Sequence, residues 1–110
     1  MPLYDSSVSG NSSWYLIETD ESYNGIPYLD TGQGNFIDWF LISAFRGANY
    51  SNTPVGAVSH TDEPGSAENN SYVFFGLWES GKIFANCAWN SFLNYGSPYP
   101  QNVGDPFTKR

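Results

Sequence analysis

A histidine beside two carboxylates can move protons or grip a cation, and this chain offers that combination at His60, Asp62 and Glu63. The cluster follows an apolar run, Val55, Gly56, Ala57 and Val58, whose lack of alternation predicts a strand covered on both faces. Open α/β sheets gather ligands at the carboxyl ends of such strands, so these three residues are the candidate ligand-binding site. The same residues also suit an ordinary turn, with Asp62 capping the following amides and His60 bonding locally. A metal is not expected: metal sites draw on three or four protein ligands, and His60 is the sole histidine. No catalytic residue and no cofactor are assigned.

Other chemistry is sparser. Glu18, Asp20 and Glu21 are an acidic run that could draw Ca²⁺, but the alternating pattern of a calcium loop is missing and a solvated loop is expected. Tyr23, Tyr28, Tyr50, Tyr95 and Tyr99 fall in expected loops, where flat rings either stack on sugars or act as lids over the core. The single cysteine, Cys87, has no partner for an internal disulfide and no cation or histidine near it in sequence; it is expected to be buried and inert. No nucleophile elbow, phosphate loop or dinucleotide fingerprint is present. Asp105, between Gly104 and Pro106, reads as turn chemistry.

Positioning these residues requires a folded core, and the composition supplies one. Apolar residues are 40% of the 110 and aromatics 18%, too rich for disorder. Eleven carboxylates face four cations, Arg46, Lys82, Lys109 and Arg110, for a formal charge of −7. Phosphate backbones and anionic membranes need clustered Lys and Arg, so neither nucleic acid nor membrane is an expected partner. Apolar runs are too short to span a bilayer and no signal-peptide pattern is visible, so a soluble chain of open compartment is expected.

Along the chain, residues 1–12 read as a flexible lead-in and 13–110 as a single α/β domain. Residues 14–19 predict a strand, 20–34 a turn-rich loop containing Asn24-Gly25, and 35–46 a helix capped by Asn35 and stopped by Gly47. Residues 54–61 predict the buried strand. The spacing of Leu77, Gly81, Phe84, Ala85, Ala88 and Phe92 predicts one long helix over 71–94, with Tyr72 to Phe75 open to a strand reading. Residues 96–110 read as turns.

The stretch PVGAVSHTDEPG, then FFGLWESGKIFANCAW, then QNVGDPF, resembles the closing segment of bacterial caspase- or gingipain-like α/β proteins over residues 36–110. That resemblance implies a three-layer α/β/α sandwich in which a GDP turn leads into a last strand. It implies no catalytic residue, because the family's His and Cys lie upstream and neither His60 nor Cys87 matches them. The expected fold is therefore α/β: a small three-layer α/β/α-type unit with a short, mainly parallel sheet and two main helices, with α+β as the alternative. The expected function is a non-catalytic module that self-associates or joins a larger assembly. The alternatives are a small domain binding a carbohydrate or other polar ligand through loop tyrosines, and a hydrolase with an acid/base centre near His60. Self-association follows from the broadly apolar 35–46 segment, where Trp39, Phe40 and Phe45 would otherwise meet water.

Overall fold

A computed structural model describes residues 14–19, 22–29, 34–62, 69–92 and 100–110. The lead-in expected over 1–12 lies outside them. The strand β2 (Gly56–His60) forms where expected, and all five of its residues are buried. Alternation could not have announced it, because neither face meets water. On one edge β1 (Leu16–Glu18) pairs with it in parallel, in the register Leu16–Gly56 to Glu18–Val58. On the other edge β3 (Pro100–Gly104) pairs antiparallel, from Gly56–Gly104 to His60–Pro100. Among the described residues the sheet is thus three-stranded and mixed, with β2 in the middle, and the expectation of a mainly parallel sheet is corrected.

The third strand lies in a segment read as turns. The three prolines and two glycines of residues 96–110 argue against a strand, but Pro100 sits at the first strand position, where a missing N–H costs least. The strand ends at Gly104 and so runs into the GDP turn instead of following it. At that turn Phe107 N–H donates to Asp105 Oδ1 at 2.9 Å, as the turn reading of Asp105 implies.

The expected helix over 35–46 is mostly absent. Asn35 does cap, its side chain accepting from Ile37 N–H, but α1 (Phe36–Trp39) is only four residues long. A 3-10 turn (Ala44–Arg46) follows, with Phe45 and Arg46 at φ 52° and 61° in the left-handed region. Tertiary bonds outcompete the helix here. Thr53 Oγ1 donates to the Leu41 carbonyl and Tyr50 N–H to that of Ile42, taking acceptors that a continuing helix would use. Trp39 is consequently buried, with Phe40 and Phe45 half-buried, so the specific aromatics expected to meet water are largely covered.

The long helix expected over 71–94 is two helices, α2 (Ser71–Glu79) and α3 (Phe84–Asn90). Asn70, not Ser71, is the cap of α2, its side chain accepting from Val73 N–H. Residues 72–75 are helical. The break is a Schellman motif: Lys82 N–H bonds the Leu77 carbonyl, Gly81 N–H bonds that of Trp78, and Gly81 adopts φ 86°. This reversal lets α2 and α3 pack on one another and on the sheet. Leu16 and Val58 meet Phe74, Trp78, Phe84, Cys87 and Ala88 in one apolar cluster. Phe74 and Phe84 lie edge-to-face within it, ring centroids 6.4 Å apart, and each buried ring contributes about 1.5–3 kcal/mol.

A radius of gyration of 13.4 Å matches the roughly 13 Å of a compact globule of this length, so the fold is a compact mixed α/β unit. Among the described residues no helix is long and apolar enough to cross a membrane. The sheet's approach to α3 depends on Gly56: a Cβ there would lie 2.7 Å from Phe84 Cε2. Gly56→Ala should destabilise the chain by about 1–3 kcal/mol through overpacking, read as a lower urea midpoint at unchanged slope.

Candidate functional site

The carboxyl end of β2 is closed over by two segments, and each uses an asparagine to do it. On the β1 side, β1 stops at Glu18, and residues 22–29 take over the pairing. Asn24 Oδ1 accepts from His60 N–H at 2.9 Å, and Gly25 N–H donates to the His60 carbonyl at 2.7 Å. Asn24 Nδ2 in turn donates to Thr19 Oγ1 at 2.6 Å, and the Asn24 carbonyl accepts from Phe36 N–H. Asn35 Nδ2 ties the same loop by donating to the Ile26 carbonyl at 2.8 Å.

On the helix side the His60 ring, fully buried, faces the seam where α2 begins and α3 ends. Its Nε2 lies 3.3 Å from Asn69 Oδ1. Asn69 Nδ2 donates to Ser91 Oγ at 2.6 Å, which leaves Asn69 Oδ1 as the acceptor and assigns the proton to His60 Nε2. Ser91 Oγ passes the chain on to the Ala88 carbonyl at 2.7 Å. A backbone bond from Asn70 N–H to the Ser91 carbonyl, 2.6 Å, staples the same seam. Asn69 and Ser91 are themselves buried, so the network lies in the interior and links β2, α2 and α3.

The sequence-predicted site residues therefore end in different settings. His60 is fully buried, its ring against Asn69 and its backbone bonded to Asn24 and Gly25. Asp62 is half-buried beyond the strand, its carbonyl accepting from Tyr23 N–H. Glu63 lies outside the described residues. Among the described residues no group of three His, Cys, Asp or Glu could hold a metal ion. The side chains that sequence reasoning missed are Asn24, Asn69 and Ser91. The signal for the first was Asn-Gly after a strand, and for the second an asparagine pair before a helix.

The remaining candidates can be placed briefly. Tyr28 and Tyr50 are exposed and Tyr23 is half-buried, while Tyr95 and Tyr99 lie outside the described residues. Glu18 is half-buried in β1, and Asp20 and Glu21 lie outside the described residues. Cys87 is fully buried in the apolar cluster, and burial pushes its thiol up from the ordinary 9.0. Comparison with protein families, with curated proteins and with solved structures finds no match to this chain.

Three outcomes are expected. Asn69→Leu removes the partner of both His60 Nε2 and Ser91 Oγ and should cost about 1–3 kcal/mol of stability in urea unfolding; an unchanged midpoint would contradict a structural network. Cys87 should react with a thiol reagent far more slowly in the native chain than in urea. Its linkage sign follows from the raised pKa. Below the unfolded value both states keep the proton and the group is silent. Above it the unfolded chain ionises first, so stability falls as pH rises past about 9, and Cys87→Ala should flatten that fall.

Proposed function

We propose that this chain is a non-catalytic α/β module that works by associating with copies of itself. The observation carrying this reading is the aromatic surface of its helices. On α2, Tyr72 is 92% exposed and Phe75 38%, at positions that share one helical face with Gly76 and Glu79. Gly76 adds no side chain, and a Cβ there would meet nothing within 4 Å, so the backbone beside the two rings is open. On α3, Trp89 is 62% exposed and leans on Phe92, ring centroids 5.6 Å apart. Phe107, after β3, is 76% exposed.

Large rings in water on adjoining helices are the material from which interface centres are made, because aromatic anchors dominate association energies. The enclosure of His60 favours the same reading, since a buried imidazole locked to Asn69 presents no acid or base to a substrate. This agrees with the non-catalytic character implied by the caspase-like resemblance. The three-layer arrangement belongs with it. Val58 looks toward α2 and α3, so by strand alternation Ala57 and Ser59 look to the opposite face. Ala57 and Ser59 are fully buried there, and Trp39 and Ala44 are buried outside the α2–α3 cluster, which supports a second covering layer.

Light scattering over a rising concentration series should give a mass above the 12.2 kDa of one chain. Tyr72→Glu and Trp89→Glu, both at exposed positions, should each weaken association by at least about tenfold while leaving the melting temperature of the monomer near the parent value. A parent chain that stays at 12.2 kDa at high micromolar concentration ends the proposal.

A further inference from the structure

Asn24-Gly25 is the only Asn-Gly pair in the chain, and that pair is the most easily deamidated in proteins, because glycine leaves the following amide nitrogen unshielded. The reaction needs two freedoms. The Gly25 nitrogen must give up its proton and swing onto the Asn24 side-chain carbonyl carbon, and that carbonyl must be free to turn toward it. In the fold neither group is free. Gly25 N–H is engaged with the His60 carbonyl at 2.7 Å, and Asn24 Oδ1 is engaged with His60 N–H at 2.9 Å. The amide to be expelled, Nδ2, is held by Thr19 Oγ1 at 2.6 Å, and Asn24 is 1% exposed.

The same contacts explain why the labile pair occupies this place. Gly25 has no room for a side chain: a Cβ would lie 2.6 Å from Gln101 Oε1, 2.9 Å from Ser59 Oγ and 3.0 Å from the His60 carbonyl. Asn24 must supply an acceptor to one strand amide and a donor to a threonine, which an amide does without charge. The chemistry that closes the end of β2 is thus the chemistry that ages it.

We propose that Asn24 is a modification site gated by the fold: it deamidates when residues 22–29 leave β2, and its conversion prevents them from returning. Gly25 N bonds to Asn24 Cγ, the Cγ–Nδ2 bond breaks, and the nitrogen leaves as ammonia, carrying the proton lost by Gly25. Water then opens the cyclic imide at either carbonyl, giving aspartate or isoaspartate. Aspartate brings a negative charge into a site that is almost fully enclosed. Isoaspartate adds a methylene to the backbone and moves Gly25 N–H out of register with the His60 carbonyl. A reversible opening becomes irreversible loss of the native state.

The test is peptide mass mapping of the full chain held in mildly alkaline buffer, folded and in urea. Deamidation at Asn24 should be at least about tenfold faster in urea, with aspartate and isoaspartate both formed, because the folded chain reacts only through its open fraction. Thr19→Val, which releases Nδ2, should speed the folded-state reaction and leave the rate in urea unchanged. Chains converted at Asn24 in urea and returned to buffer should not regain the parent's melting transition, and Asn24→Asp should melt below the parent. Equal rates in the two states, no reaction in urea, or a converted chain melting with the parent would each overturn the proposal.

Discussion

Everything in this fold answers to the enclosure of one strand. With all five residues of β2 buried, two faces and two edges must be satisfied by other parts of a short chain. β3 covers one edge along its whole length. β1 covers the other for three residues, and the loop at Asn24 and Gly25 finishes what β1 leaves undone. The strand's composition makes the enclosure possible. Gly56 lets the Phe84 ring lie almost on the backbone, and the small Ala57 and Ser59 let the far face close as tightly. Gly104, at φ 146°, comes close enough to Val55 and Gly56 that a side chain would clash with backbone. Close packing of this kind concentrates burial in few residues, as a chain of 110 requires.

Which parts of this were legible in the sequence follows from where the information resides. The buried strand was readable because four consecutive small apolar residues between Pro54 and the polar Thr61-Asp62 turn have few other uses. Cys87 was readable because nothing around it activates a thiol. The two-helix hairpin is half-readable: Gly81 fits the apolar stripe by spacing, whereas its φ of 86° makes it the point of reversal. The failure of the 35–46 helix was not readable. It depends on Thr53 and Tyr50, which arrive from the following loop to take the Leu41 and Ile42 carbonyls, and a local window cannot contain that competition. β3 was missed because its partner, not its own composition, makes it a strand.

The cluster at His60 shows how a residue type can be located correctly while its surroundings go unread. The imidazole does stand at the carboxyl end of the central strand, where ligands gather in larger sheets. Here the crevice is filled from within. Asn69 and Ser91 meet the ring, while Asn24 and Gly25 meet its backbone. Asn24, Gly25 and Ser91 come from distant parts of the chain and Asn69 from nine residues on, and none of the four is a titratable group. Sequence reasoning searched for acids near the histidine, but enclosure favours neutral amides and hydroxyls, which satisfy hydrogen bonds without the cost of burying charge.

The polar groups also solve a problem that the apolar core leaves open. A strand with one wet face has its register set by alternation, since a one-residue slip exposes every apolar side chain. β2 has no wet face, so no apolar side chain is handed to solvent by a slip and that penalty is missing. A slip of one residue would be rejected on other grounds. It would turn the His60 ring away from Asn69 Oδ1 and break the contact between them in the interior, at about 1–3 kcal/mol. It would turn Ser59 away from Gln101, 3.1 Å from it in the native pairing. It would also move Gly56 from beneath the Phe84 ring and put a larger residue there, where the room for a Cβ is already lacking. Two polar contacts and one steric contact therefore do for this strand what a solvent-facing side does for others. That is a physical reason for a histidine, a serine and an asparagine to occupy the interior of so small a protein.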